Sequence, residues 1–205
     1  SLLLESLSAA GVDKLTLDLG HVGIYRALIE SVGVSAEQES ALFSLLQTKD
    51  SVEITQWIDS NIACAEAGQW LLALSTLSGD QTVLEKAQTI LADAPAEIQA
   101  AIDELAAVAN VIAERYPAIN IYFDLSELRG YHYHTGIVFA AYTEGFGDAI
   151  ANGGRYDHIG EAFGRARPAT GFGVNLTSVM RVSHTASHAA TTGIYVPAEE
   201  TDTGA

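Results

Sequence analysis

One stretch of the sequence is crowded with charged and aromatic side chains: Glu127-Leu128-Arg129-Gly130-Tyr131-His132-Tyr133-His134-Thr135-Gly136-Ile137-Val138-Phe139. Alternation across 131–143 predicts a strand. On a strand, His132 and His134 share one face, which suits a polar pocket wall, a pair of exposed histidines or, with a third ligand, a transition metal. The nearby sequence indicates no third ligand, so we expect no metal site.

Further segments on both sides of this stretch alternate apolar and polar residues, as strands with one buried face do. The predicted strands cover 15–19, 119–125, 131–143, 147–153 and 194–196. Helices are predicted over 22–32 and, after a glycine-rich connection, over 173–181. Consecutive hairpin-like strands favour an antiparallel sheet, so we expect an α+β fold.

The region between the first two predicted strands, residues 35–116, has a helical pattern throughout. Ser35 and Gln38 have the spacing of a capping box at its start. We therefore predict a sheet-containing core made of 1–34 and 117–205, with 35–116 inserted into it as a helical segment.

The charge of the chain is strongly negative and unevenly placed. Its 205 residues include 10 Lys and Arg against 26 Asp and Glu, a net charge of −16. Residues 1–128 hold 19 acidic and 5 basic residues, whereas five of the seven arginines follow residue 128. Such a surface repels phosphate backbones and anionic lipids, so we expect neither a nucleic-acid nor a membrane partner. An anionic ligand is expected to bind in the C-terminal part, where arginine can pair with it.

The cellular compartment follows from cysteine usage and hydropathy. Cys64 is the single cysteine and cannot form an internal disulfide, and no apolar run reaches about 18 residues. We expect a cytoplasmic protein. The chain opens at Ser1-Leu2-Leu3-Leu4 as if already inside a helix, so we expect it to be a fragment of a longer polypeptide.

Two glycine-containing motifs follow. Asn152-Gly153-Gly154-Arg155-Tyr156-Asp157 allows close backbone approach beside an arginine and an aromatic ring, which suits either a ligand or a surface ion pair at a strand end. Pro168-Ala169-Thr170-Gly171-Phe172-Gly173-Val174 leads into a helix. Because Leu176 occupies the position of the third glycine, a dinucleotide fingerprint is not supported, and we expect no cofactor.

Taken in order, the three motifs resemble the two histidine-recognition motifs and the third class II motif of histidyl-tRNA synthetases. They are Arg129-Gly130-Tyr131-His132-Tyr133-His134, Gly153-Gly154-Arg155-Tyr156-Asp157 and the segment that starts at Pro168. The resemblance covers about 119–181 and implies a class II synthetase-like antiparallel sheet with flanking helices and a helical insertion. Nothing resembles the first two class II motifs, so it implies the C-terminal part of such a core.

The sequence departs from the synthetase pattern in two places, the motif that recognises the amino acid and the motif that holds the nucleotide. Synthetases read Arg-Gly-Leu-Asp-Tyr-Tyr at the first motif, where this chain has His132 for the aspartate and His134 for the last tyrosine. Thr177-Ser178 replace a Glu-Arg pair whose arginine holds an ATP phosphate. Arg181 lies about 300° further around the helix and is a poor substitute. Adenylate formation depends on such positioned cations.

The first motif looks more like that of the regulatory subunits of ATP phosphoribosyltransferase, a paralogous family. This resemblance implies a non-catalytic subunit that assembles with the catalytic phosphoribosyltransferase subunit, self-associates as a class II-like dimer and mediates feedback inhibition of histidine biosynthesis by histidine. Two alternatives stay open: a catalytic core fragment of a histidyl-tRNA synthetase, and a free-standing amino-acid-binding module.

The predicted ligand is histidine or a similar molecule, and we predict no catalytic residue. The expected site consists of Arg129, Tyr133, His134 and Tyr156, with weaker claims for Glu127, Arg155 and the backbone of Gly171 and Gly173. Arg129 suits the carboxylate, and Glu127 or a residue outside this chain suits the ammonium group. Tyr156 and His134 suit the imidazole, and we expect binding to weaken below about pH 6 as His134 is protonated. The alternative is that these groups bond only to one another, as an inherited feature of the fold.

Overall fold

The computed structural model describes residues 1–161 and 164–184, which form one six-stranded sheet flanked by helices. The strands are β1 (Leu15–His21), β2 (Ser78–Gly79), β3 (Asn120–Asp124), β4 (Ile137–Thr143), β5 (Ala151–Tyr156) and β6 (Ala169–Val174). The helices are α1 (Leu2–Ala9), α2 (Val22–Val32), α3 (Ala36–Thr48), α4 (Ser51–Asn61), α5 (Ala65–Leu74), α6 (Thr82–Ile90), α7 (Ala96–Arg115) and α8 (Leu176–Val182). The predicted strand at 194–196 lies outside the described residues.

The sheet has the strand order β2-β3-β1-β4-β5-β6. Four of its five strand pairs are antiparallel, and the β1–β3 pair is parallel. The parallel pair arises because the chain returns from β1 to β3 through helices, which is the long connection that a parallel neighbour needs. The α+β prediction therefore holds, with a mixed sheet in place of a wholly antiparallel one.

The first strand and helix form as their sequence predicts. Leu15, Leu17 and Leu19 are buried on one face of β1, in line with the alternation. Helix α2 begins after His21, whose Nδ1 accepts a hydrogen bond from the Gly23 N–H. It ends at a residue with φ 62°, the left-handed conformation that Gly33 adopts without a Cβ clash.

Helix α7 covers one of the two faces of the sheet, and the candidate site lies on the other. Helix α7 packs over the face that carries Leu17 and Leu19, and Val108 and Ile112 of α7 share a cavity with them. The strand register places one row of residues on the opposite face: Asp18 of β1, Ala140 of β4, Asn152 of β5 and Gly173 of β6. We call this opposite face the site face, because the candidate site lies on it.

The helical segment predicted over 35–116 packs onto the sheet. The buried apolar side chains of this segment belong to the same hydrophobic cluster as those of β1 and β3. Strand β2 also lies within the segment, and it pairs with β3. The predicted capping box of Ser35 and Gln38 is present. The division into a core of 1–34 plus 117–205 and an inserted segment remains a prediction. No helix among residues 1–161 and 164–184 is long and apolar enough to cross a bilayer.

The strand predicted over 131–143 is wrong in its first half, since β4 begins at Ile137. Gly130 has φ 67°, and its carbonyl accepts hydrogen bonds from the N–H groups of both Tyr133 and His134, at 2.8 Å each. These bonds close a compact turn, which we call the site turn (residues 130–134). Tyrosine is enriched in strands, so Tyr131 and Tyr133 at alternate positions give the turn the sequence pattern of a strand.

The C-terminal strands also differ from the prediction. The strand expected over 147–153 lies at 151–156, and α8 covers 176–182 in place of 173–181. Residues 169–174, expected to form the end of a connection and the start of a helix, are the edge strand β6. Glycine weakens the sequence signal for a strand, yet here the pairing with β5 forms it.

Candidate functional site

A cavity of about 140 Å³ lies on the site face, beside the segment that follows β3. Glu127, Arg129 and His134 line its wall, while Val138 and Ala140 of β4 line its floor. The structure therefore brings three of the predicted site residues to one cavity. A short floor side chain such as alanine leaves room for a ligand above the sheet.

Arg129 lies at the rim of this cavity and is held on one side. Its Nη2 donates a hydrogen bond to the Tyr142 hydroxyl at 3.2 Å and lies 3.4 Å from Glu127 Oε2. Glu127 Oε1 also accepts the Arg129 N–H at 2.7 Å. Among residues 1–161 and 164–184, no acceptor bonds Arg129 Nε or Nη1. This guanidinium is oriented and still has donors for a carboxylate.

Three aromatic rings pack together next to this cavity, and His134, which lines the cavity, is one of them. Tyr133 and Tyr156 lie with ring centres 4.9 Å apart, and His134 packs 5.3 Å from Tyr133 and 6.2 Å from Tyr156. The site turn supplies two of these rings and β5 the third. Tyr133, His134 and Tyr156 thus meet as the sequence predicts, and Tyr133 is exposed, which leaves one ring face accessible to a ligand.

His134 is half-buried, with one ring nitrogen shielded from solvent. Its Nδ1 is buried and makes no hydrogen bond among the described residues. Burial lowers the pKa of His134, and the backbone of Arg155 opposes this shift only in part. The imidazole therefore stays neutral to a lower pH than its ordinary value of 6.5, and any loss of ligand binding through its protonation moves below that value.

Two glycines make room for these rings. A Cβ on Gly154 would lie 2.8 Å from His134 Nδ1, and one on Gly171 would collide with the Tyr156 hydroxyl. Gly171 thus lies against the Tyr156 side chain. A Cβ on Gly173, in contrast, would meet nothing within 4 Å among the described residues, so none of these neighbours requires a glycine there.

Arg155 does not join the other predicted residues. It projects from the helix-covered face of β5, because adjacent residues of a strand point to opposite faces and Tyr156 is on the site face. Its Nε binds both carboxylate oxygens of Asp157, at 3.0 and 3.1 Å, and its Nη1 lies 4.0 Å from Glu104. The grouping of Arg155 with Arg129 is therefore wrong, and the surface ion pair is the interpretation that the structure supports.

The two histidines of the first motif also separate. His132 stacks on Phe43 of α3 with ring centres 6.1 Å apart, whereas His134 packs on Tyr133. They cannot share one strand face, because they lie in a turn. Residues 1–161 and 164–184 contain no group of three His, Cys, Asp or Glu side chains placed to hold a metal ion.

Sequence reasoning missed an acidic group beside the cavity. Asp18 Oδ1 is buried and makes no hydrogen bond among the described residues, while Asp124 pairs with Lys49 at 2.5 Å. Burial, followed by the nearby charges of Asp124 and Glu127, raises the pKa of Asp18 to about 7. An aspartate on the polar side of an alternating strand was the available signal.

A raised pKa at Asp18 makes stability depend on pH. Because the folded protein binds this proton more tightly, the unfolded chain releases it first as pH rises above about 4. The contribution of Asp18 to the free energy of unfolding should fall between about pH 4 and pH 7, by at most about 1.4 kcal/mol per pH unit. We expect Asp18→Asn to remove this component, so that the variant gains stability over the wild type as pH rises.

Urea unfolding of the full-length protein at several pH values within this window measures the effect. Asp59→Asn, which changes an exposed aspartate of α4, is the matched control and should follow the wild-type curve. Parallel curves for Asp18→Asn and Asp59→Asn would show that burial does not raise the Asp18 pKa.

The fold and the three motifs match a known family. The family model described as Histidyl-tRNA synthetase matches residues 1–179. The chain belongs to the histidyl-tRNA synthetase family. The match extends from α1 into α8, so it includes all six strands and every predicted site residue.

Within the histidyl-tRNA synthetase family, the chain is similar to proteins named for a regulatory role. It is 55% identical over 202 residues to an ATP phosphoribosyltransferase regulatory subunit of Saccharophagus degradans, an alignment that covers 98% of this chain and 51% of that protein. The chain thus spans about half the length of the curated relatives it matches.

Solved structures of the family share the fold. A crystal structure from Bacillus halodurans, described as an ATP phosphoribosyltransferase regulatory subunit/histidyl-tRNA synthetase, has a TM-score of 0.77 and 28% identity over 89% of this chain and 48% of its own. The ATP phosphoribosyl transferase (HisG:HisZ) complex from Thermotoga maritima matches with a TM-score of 0.64 and 18% identity over 84% of this chain and 57% of its own, which shows a common fold. These likenesses confirm the expected class II synthetase-like α+β fold.

Proposed function

We propose that the full-length protein is the non-catalytic regulatory subunit of a short-form ATP phosphoribosyltransferase. It acts in the cytoplasm, supports the first step of histidine biosynthesis and mediates its feedback inhibition by histidine. The observation that carries this proposal is the 55% identity, across 98% of the chain, to a protein named as such a subunit.

The start of α8 supports a non-catalytic role. Ser178 occupies the position at which the synthetase pattern has the arginine that holds an ATP phosphate. It is buried, and its N–H donates to Asn175 Oδ1 at 3.1 Å. Arg181 lies three residues later, in the last turn of the helix. An uncharged buried serine cannot stabilise the negative charge that develops on phosphate during adenylate formation.

The geometry of the site face supports histidine as the effector. Arg129 Nε and Nη1, which bond no acceptor within the described part of the chain, suit a carboxylate. Glu127 is the neighbouring acceptor for an ammonium group. The rings of Tyr133, His134 and Tyr156 suit an imidazole. Since the HisG:HisZ structure is a complex of two kinds of subunit, we take its catalytic component as the model for the partner. Self-association as a class II-like dimer is part of the same proposal.

Co-elution tests the partner directly. Size-exclusion chromatography of the full-length protein mixed with a short-form catalytic subunit should give one early peak that contains both chains. Each chain alone should elute later. A free-standing amino-acid-binding module predicts two separate peaks at every ratio, and that result would contradict the proposal. A histidyl-tRNA synthetase fragment predicts the same separation, together with adenylation activity.

A further inference from the structure

Helix α2 is hydrogen-bonded to the site turn through Arg26. Arg26 Nη2 donates two hydrogen bonds to backbone carbonyls of the turn, to Tyr131 O at 3.2 Å and to His134 O at 3.0 Å. Its guanidinium carbon also lies 5.2 Å from the centre of the Tyr131 ring. Hydrogen bonds from a charged donor are stronger than neutral ones, and these two bind positions three residues apart. Arg26 therefore connects two positions of the turn to each other and to α2.

Helix α3 holds the same turn through one side chain. The buried Tyr131 donates its hydroxyl to Glu39 Oε1 at 2.9 Å. Burial and the Glu39 carboxylate raise the pKa of Tyr131 to about 12, so the hydroxyl stays protonated and remains a donor. A second phenol, that of Tyr25 in α2, bonds the Glu39 carbonyl at 3.2 Å. The Tyr25 hydroxyl thus steadies α3 without bonding to the turn.

The site turn sets the positions of the Tyr133 and His134 rings together. Tyr133 and His134 both donate their N–H groups to Gly130 O, so they move together with the turn. Their contacts with Tyr156, at 4.9 and 6.2 Å between ring centres, depend on that position. A binding site held in its bound shape loses less entropy when the ligand binds.

We propose that Arg26 and Glu39 are positioning residues of the candidate ligand site. They hold the site turn in the shape that presents Tyr133 and His134, and so they couple the shape of the turn to ligand binding. The ligand part of this inference rests on the proposed function.

The test compares two phenol-to-phenylalanine changes in the full-length protein, bound to the catalytic subunit. Tyr131→Phe removes the hydrogen bond between the turn and Glu39, while Tyr25→Phe removes a hydrogen bond to the same glutamate outside the turn. Hydrogen exchange of the amides in the site turn reports its shape without any ligand. Titration calorimetry with histidine reports the functional consequence.

We expect Tyr131→Phe to speed exchange of the site-turn amides and to weaken histidine binding by about tenfold, the worth of one buried hydrogen bond. Arg26→Lys should act in the same direction, because an ammonium group lacks the planar geometry with which the guanidinium donates to both carbonyls. Tyr25→Phe should leave both measurements within about twofold of the wild type. Glu39→Gln keeps a carbonyl acceptor and should preserve most of the affinity that Glu39→Ala loses.

The two readouts separate the possible failures. Exchange in Tyr131→Phe and Arg26→Lys that matches Tyr25→Phe would overturn the positioning role. Faster exchange with unchanged histidine affinity would overturn the coupling. If the wild type binds no histidine, the proposed effector is wrong, and the exchange measurement alone then decides whether these residues hold the turn.

Discussion

Replacing Arg129 with alanine in the full-length protein should weaken histidine binding about 100-fold. Among residues 1–161 and 164–184, no acceptor bonds Nε or Nη1 of this guanidinium, which lies beside the cavity. Losing two hydrogen bonds to a charged carboxylate costs about 2–3 kcal/mol. Isothermal titration of histidine into the complex with the catalytic subunit measures the change.

Arg155→Ala is the matched control for this measurement. Both arginine side chains are 44% exposed, and both lie beside a carboxylate, but Arg155 projects from the opposite face of the sheet. Its removal should leave the affinity within about twofold of the wild type. Equal affinities for the wild type and both variants would show that histidine, if it binds, occupies another site.

The full-length protein should not catalyse histidine-dependent exchange of pyrophosphate into ATP. The uncharged, buried Ser178 stands where the synthetase pattern requires a phosphate-binding arginine. Loss of one positioned donor at a developing charge lowers a rate by about 100- to 1,000-fold. The assay needs a genuine histidyl-tRNA synthetase as its positive control. Exchange at a synthetase-like rate would end the regulatory interpretation.

The sequence predicts the elements whose signals are local. The alternation of β1 and the glycine that closes α2 are both readable within a dozen residues, and both are confirmed. The parallel pairing of β1 with β3 joins segments about a hundred residues apart, so it leaves no local trace. β6 was missed because two of its six residues are glycine, which carries no side-chain pattern.

The sequence also predicts only part of the candidate site. Arg129, Tyr133, His134 and Tyr156 were grouped through motifs in a known order, and the structure places the last three in contact. The misplacement of Arg155 arises because the predicted strand ends at 153, whereas β5 runs to Tyr156, so that Arg155 and Tyr156 point to opposite faces.

Long-range support for the site turn was also beyond the sequence. Arg26 and Tyr131 are 105 residues apart, and only the packing of α2 behind the turn brings them together. For Asp18 the sequence does predict the position of the residue, on the polar face of β1. Its raised pKa depends first on burial and then on the charges of Asp124 and Glu127, which the fold brings from elsewhere in the chain.

The most direct test of the central claim is the rate at which a short-form catalytic subunit makes its product, measured with and without the full-length protein and over a range of histidine concentrations. The account predicts that the full-length protein raises this rate and that histidine then inhibits it. The Arg129→Ala protein should still raise the rate, and it should require about 100 times more histidine for inhibition. A catalytic subunit that is equally active and equally sensitive to histidine without the full-length protein would contradict the account.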